Sequence, residues 1–346
     1  MTSFTWRGFL CLISLTSSLI QASHQSLPLP VREIYQFSIP TYIEGVYVRS
    51  NGDLIVTTVW PNASIYAVCG ATTNTPTISL IHAFDEINAV TAILETQPDV
   101  FHFIGGNQST LGFGIHGTYG VWELDLRPAN GTNYIEPTIQ ELVRITDGGF
   151  LVALEIVPDT PTTLLVSDST IGVVWRVDTL ARNYELGIQD ANMAYPPWGA
   201  TPFGIDDIHI KNGYLYWSNS YEATVYRIAI TDNGYPPAGA VSEVFKAVRA
   251  LFLDKFSFGP DDGDTIWVAA NANSQLVAIT SDGDATFVAG VSDQMTLAGP
   301  IATAFGKLKG DTNTVYVTTG GGLVSPINGT IIEGGKIVAI DTTGFF

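Results

Sequence analysis

A unit of short apolar and β-branched runs, punctuated by Gly, Asn, Asp and Pro, recurs six times along this chain. It is clearest from Phe203 onward: FGIDDIHI, the turn KNG, YLYWSNS, a loop, TVYRIAI and later SEVFKAV. The same order returns in DKFSFGPDDGDTIWVAANANSQLVAIT with ATFVAG, in FLVALEIVPDTPTTLLVSDSTIGVVWRVD, and in IEGVYVRSNGDLIVTTVWPNASIYAV with SLIHAF. Two further copies are split by insertions: AVTAILETQPDVFHFIGG with YGVWELDL and ELVRI, and IATAFGKLKGDTNTVYVTT with GGKIVAID. Each unit occupies roughly 45–60 residues, the size of one propeller blade. Helical periodicity is scarcely found.

The last unit runs out of chain before its fourth strand, and the spare run Val31–Phe37 (VREIYQF) can supply it from the other end. The predicted fold is therefore all-β, a six-bladed β-propeller closed by an N-terminal strand and spanning residues 23–346. A length of 346 residues would by itself suggest two domains, but radial repetition adds core without a second centre. A ring also leaves no long exposed sheet edge.

Residues 1–22 read as a secretory signal peptide, with Arg7 before the apolar run Phe9–Ile20 and the small Ala22 at the cleavage point. The run is far shorter than the ~20 residues a membrane span needs. Cleavage removes Cys11 and leaves Cys69, expected as a buried thiol because it follows the strand SIYAV. It also removes Arg7 and takes the formal charge from −18 to −19. Such acidity excludes nucleic acid and anionic membrane as partners. Four sequons, at Asn62, Asn107, Asn130 and Asn328, agree with a secretory route, secreted or vesicular, and are expected to carry glycans.

In a propeller the innermost strands converge on the axis, and the loops entering them share a face with the loops joining second to third strands. The polar or inner-strand entries are Glu44, Val152, Asp206, Asp254 and Ala302, with Asn88 a vaguer one for the second unit. Three carboxylates directed at one axis are costly unless they bind a cation or share a proton. Loops on the same face add Trp60, Asn219, Tyr221 and the amides around Asn271. The long segment Gly105–Gly120 brings Phe113 and His116, and the segment entering the fourth unit brings Trp198 and Phe203. A second long segment runs from Thr319 to Gly335. Long loops in a compact domain are usually lids or binding loops. The expected pocket is aromatic with a few carboxylates, while His82, His102 and His209 are expected to pack within strands. No G-x-S-x-G elbow, H-E-x-x-H, P-loop or Rossmann glycine fingerprint occurs.

The segments YIEGVYVRSNGDLIVTT, GVVWRVD, FGIDDIHIKNGYLYWSNS, LDKFSF, TIWVAANANSQLVAI and GPIATAFGK, in this order, resemble the fungal secreted branch of senescence-marker-protein/gluconolactonase-like propellers. The resemblance implies a divalent cation, calcium or zinc, held in hydrolytic members by carboxylates and amides at blade entries. Glu44 keeps the first ligand and Asp254 the last, whereas Asp206 and Val152 stand where Asn is expected, and Lys255 follows Asp254 in place of Gly. Val cannot bind a cation and an adjacent ammonium competes with one, which argues against ordinary lactone hydrolysis with Glu44, Asp206 and Asp254 as metal ligands.

Within this branch the chain is similar to hetero-Diels–Alderases of tropolone–sesquiterpenoid biosynthesis. That similarity implies dehydration of a hydroxymethyl tropolone to a quinone methide and its cycloaddition to a humulene-type alkene, with no cofactor. The substrates are then small, apolar and tropolone-like. Asp206, Asp254, Lys255 and His116 are the expected acid, base or donor groups. Trp60, Phe113, Trp198, Phe203, Asn219 and Tyr221 are the expected substrate contacts. The alternatives are a metal-dependent lactonase and a binding propeller without catalysis.

Overall fold

The computed structural model describes residues 26–127, 137–199, 201–260 and 263–345. Among them are six four-stranded antiparallel sheets, the six blades. Blades 1 to 5 begin with innermost strands Tyr42–Val48, Ala89–Gln97, Leu151–Ile156, Ile205–Lys211 and Leu253–Phe258. The sixth consists of Pro300–Phe305, Thr314–Thr319 and Lys336–Asp341, and its outermost strand is Val31–Gln36, paired antiparallel with Lys336–Asp341. The expected leader at 1–22 lies outside the described residues.

Burial follows a strand's place in its blade. Second strands such as Leu54–Trp60, Val100–Gly106 and Thr163–Asp168 lie between two neighbouring blades and are buried almost throughout, so their sequences are apolar or small on both faces. Outermost strands such as Thr77–Ala83 are largely exposed or half-buried. Among the described residues, apolar clusters join every pair of adjacent blades. Trp122 and Phe103 pack with Ile55 between blades 1 and 2, and Tyr316 and Ile337 with Ile43 and Leu54 between blades 6 and 1.

Every innermost strand departs from its ladder near its start. The register skips Glu44 in blade 1, Thr91 in blade 2 and Val152 in blade 3. It skips Asp206 and Asp207 in blade 4, Asp254 and Lys255 in blade 5, and Ile301 and Ala302 in blade 6. Bulges re-aim side chains beside active sites, and here they leave backbone carbonyls off the ladder that need other partners. Neighbouring blades supply them: Ser167 Oγ donates to the Asp206 carbonyl at 2.6 Å, and Ser218 Oγ to the Asp254 carbonyl at 3.1 Å.

Of the histidines expected to pack, His102 is buried beside Thr96 and His82 is half-buried edge-on to Phe84. His209 does more. Its Nδ1 lies 2.8 Å from Glu155, and its Nε2 lies 2.8 Å from the Phe256 carbonyl and 3.2 Å from Asp207. Every partner is an acceptor, so both nitrogens carry protons and the imidazolium ties blades 3, 4 and 5. Burial opposes the charge, but Asp207 and Glu155 outweigh it and raise the pKa well above 6.5. This contribution to stability is complete below about pH 6.5 and disappears as pH rises through the raised native value. His209→Gln is expected to cost about 1.5–3 kcal/mol at pH 6 and much less at alkaline pH. Urea midpoints at the two pH values check it, and an equal loss at both would refute the charged bridge.

Cys69 is exposed, contrary to expectation. It ends its strand beside solvent, and partial burial together with Asp53 raises its pKa and favours the thiol. Among the expected glycan sites, Asn62 and Asn328 are exposed and Asn107 is half-buried, its side-chain oxygen accepting from the Asn88 N–H. Asn130 lies outside the described residues.

Candidate active site

The bulged positions open at one end of the axis into a cavity of about 350 Å³. Glu44, Asp206 and Asp254 line it together with Val152, as blade entries predict. The three carboxylates come from blades 1, 4 and 5, and all are buried. Asp206 accepts from Ser220 Oγ at 2.9 Å through Oδ2, while its buried Oδ1 has no hydrogen-bond partner. Asp254 accepts from Asn271 Nδ2 at 3.1 Å, and the same nitrogen lies 3.4 Å from Tyr42 Oη.

Electrostatics keep protons on this pair. Burial pushes Asp206 up to about 7, with the charges of Glu44 and Asp207 adding to it and Lys255 opposing it. Burial, then Asp206 and Glu44, hold Asp254 well above the usual carboxylate range. Burial and the Glu44 charge also raise Tyr42, which stays a phenol. Two carboxyls under one roof that cannot both ionise form an acid–base pair.

The walls are aromatic. Phe203 is their hub, with ring centroids 5.5 Å from Phe252 and 6.1 Å from both Phe113 and Phe150, and Tyr221 lies 5.8 Å from Phe252. The small hairpin Gln108–Thr110 with Phe113–Gly114 closes one side. Gln108 holds it, donating to the Val59 carbonyl at 2.5 Å and accepting from Gly112 N–H at 2.9 Å. Asn88, the vague axial entry, instead bonds the Gln108 backbone. Gly112 has φ +82°, and a Cβ there would stand 2.9 Å from the Phe203 ring. Phe252 adopts φ +63°, a strained region for a bulky residue and one that clusters at functional sites.

Six expected residues thus line the cavity: Glu44, Asp206, Asp254, Phe113, Phe203 and Tyr221. Five do not. Lys255 follows Asp254 in the bulge but leaves toward the opposite end, lining another cavity. Its ammonium donates to the Glu44 carbonyl at 3.0 Å, to Glu44 Oε1 at 3.1 Å and to the Thr91 carbonyl. All three N–H groups are engaged, which leaves none for a substrate. Asn219 is fully buried and spends its amide on the Asn192 and Ala194 carbonyls and the Glu222 N–H. His116 and Trp60 are exposed outside the lining, and Trp198 is 70 % exposed, touching Tyr221 edge-on. Sequence reading passed over Tyr42, Gln108, Phe150 and Phe252. Only the left-handed backbone at Phe252 and the bulges single them out, and neither has a sequence signature.

Among the described residues no group of three or more His, Cys, Asp or Glu side chains is placed to hold a metal ion. Glu44 is paired with the Lys255 ammonium.

No family model matches the chain. A Phoma sp. protein named hetero-Diels-Alderase is 30% identical over 316 residues, covering 85% of this chain and 88% of the relative. A Sarocladium schorii protein of the same name is 28% identical over 345 residues, covering 92% and 85%. Among solved structures, a luciferin-regenerating enzyme superposes with TM-score 0.61 at 12% identity, covering 90% of this chain and 95% of its own. The calcium-binding protein regucalcin of Agrobacterium tumefaciens gives 0.60 at 13%, covering 90% and 94%. These structures share the fold, and the sequence relatives share more: the chain belongs to the hetero-Diels-Alderase family.

Proposed function

We propose that this protein catalyses a hetero-Diels–Alder addition of a tropolone quinone methide to a humulene-type alkene, preceded by the dehydration that forms the quinone methide, without metal or organic cofactor. The observation that carries the reading is Asp206, whose Oδ1 has no hydrogen-bond partner, lining an aromatic cavity together with a carboxyl that holds its proton. An unpartnered buried acceptor costs about 1–3 kcal/mol, and a substrate hydroxyl relieves that cost.

In the dehydration, Asp254 gives its proton to the leaving hydroxyl of the hydroxymethyl group as the C–O bond breaks. Asp206 accepts the proton of the ring hydroxyl. Water departs, the neutral quinone methide remains, and the pair again holds one proton, now on the other carboxyl. Asn271 holds Asp254 in place and Ser220 holds Asp206. The cycloaddition then forms one C–O and one C–C bond with no change in proton count. It gains from orientation, where effective molarity reaches ~10⁵ M or more, and the wall built on Phe203 holds the flat ring and the alkene face to face. Tyr42, which lines the cavity, donates to a ring oxygen and lowers the barrier.

Incubating hydroxymethyl tropolone with humulene tests the reading: the protein is expected to raise the rate of adduct formation and fix its stereochemistry. Equal rates and the same isomer ratio with and without protein would overturn it. Passage through the secretory pathway belongs to the same reading, and loss of mass on enzymatic deglycosylation, abolished by Gln at Asn62, Asn107, Asn130 and Asn328 together, checks it.

A further inference from the structure

The axis has a second mouth. Beyond the bulges, the innermost strands place Tyr47, Glu95, Glu155, His209, Ser257 and Phe305 around a cavity of about 590 Å³, one residue from each blade. The Glu44–Lys255 pair stands between this cavity and the upper one, because Glu44 lines the upper and Lys255 the lower. Neither the acid–base pair nor the aromatic wall reaches this end, so the reaction proposed above makes no use of it.

One corner already holds an organic cation. Lys307, exposed on the loop after the sixth innermost strand, lines the cavity and sets its ammonium 4.0 Å from the centroid of the Tyr47 ring. The ammonium also donates to Tyr47 Oη at 2.8 Å. Burial lowers its pKa from the usual lysine value, and the Glu95 charge opposes that shift. An aromatic face, a phenol oxygen and a neighbouring carboxylate are the elements by which proteins recognise alkylammonium groups. Here they are filled by a side chain from a surface loop, which can swing away without breaking a strand. His209 occupies one carboxylate of the next blade, Glu155, whereas Glu95 spends Oε1 on the Asp99 N–H. The chain's formal charge of −18 further concentrates small cations at its surface.

We infer that the lower cavity is a second small-molecule site, for a ligand bearing a primary alkylammonium group, and that Lys307 is its exchangeable internal occupant. A ligand ammonium displaces Lys307 from Tyr47 and Glu95, and the rest of the ligand extends into the cavity toward Ser257 and Phe305.

The probe is n-butylammonium chloride, the side chain of Lys307 as a free molecule, titrated calorimetrically into the full-length protein against potassium chloride of equal ionic strength. Binding is expected to the wild type and at least tenfold tighter to Lys307→Ala, where the competitor is gone. Adding Glu95→Gln or Tyr47→Leu to Lys307→Ala is expected to weaken it at least tenfold, while Asp206→Asn at the upper cavity leaves it unchanged. Circular dichroism confirms that each variant is folded. No heat beyond the potassium control in either the wild type or Lys307→Ala would overturn the inference, as would binding to Lys307→Ala that ignores Glu95 and Tyr47.

Discussion

Asp206→Asn lowers the rate of adduct formation by about 10²–10⁴-fold and makes the protein more stable above neutral pH. The amide keeps the shape and the bond to Ser220 but cannot take up a proton. The catalytically competent pair holds one proton, so the wild-type rate is expected to rise through a limb near pH 7, set by the Asp206 value of about 7, with the limb belonging to the pair. The variant loses that limb. For stability the sign is opposite to that of a salt-bridged carboxylate. The native group holds its proton more tightly than the unfolded one, so wild-type stability falls as pH rises from about 4, the unfolded value, to about 7. The gap between 3.8 and about 7 corresponds to about 4 kcal/mol at most, and Asn escapes that loss. Rate profiles and urea denaturation at pH 5 and 8 measure both effects. A variant with wild-type rate, or one less stable than wild type at pH 8, would refute the assignment.

Asp168→Ala is expected to be the most damaging single change to the fold, at about 4 kcal/mol or more. Asp168 is fully buried at the end of a second strand. Its carboxylate accepts from the N–H groups of Gly149 at 2.8 Å, Phe150 at 3.2 Å and Ile171 at 3.0 Å, and from Trp175 Nε1 at 3.0 Å. Alanine strands four donors away from water, each costing about 1–3 kcal/mol before relaxation. The damage reaches the upper cavity, because Phe150 is part of its wall. Asn at this position keeps one acceptor oxygen and is expected to lose about half as much. A loss below about 1 kcal/mol for Ala, by urea denaturation, would show that water replaces the carboxylate.

Asp168 and Asn219 show how one position reads differently from its surroundings. Both end second strands, opposite Leu151 and Ile205 at the start of their inner neighbours. The sequence places Asn219 on the loop face and suggests that it meets a substrate, whereas its buried amide is spent on the loop entering blade 4. The deciding factor is the loop entering blade 4: its carbonyls at Asn192 and Ala194 need donors, and Asn219 serves both while Trp217 Nε1 also reaches Asn192. Which loop folds over a polar side chain depends on contacts between segments far apart in sequence.

The sequence by itself determined the six blades, their strands and the entry of Glu44, Asp206 and Asp254 at one end of the axis. It could do so because alternation and turn residues act locally and each blade repeats the same local problem. The tertiary structure decided where consecutive side chains go. The bulges part Asp254 from Lys255 and Asp206 from Asp207, sending the first of each pair to the aromatic cavity and the second toward the opposite mouth. The displaced carbonyls take their donors from other blades, the Ser167 and Ser218 hydroxyls at Asp206 and Asp254 and the Lys255 ammonium at Glu44 and Thr91. Those contacts form only between blades, so no single segment records them.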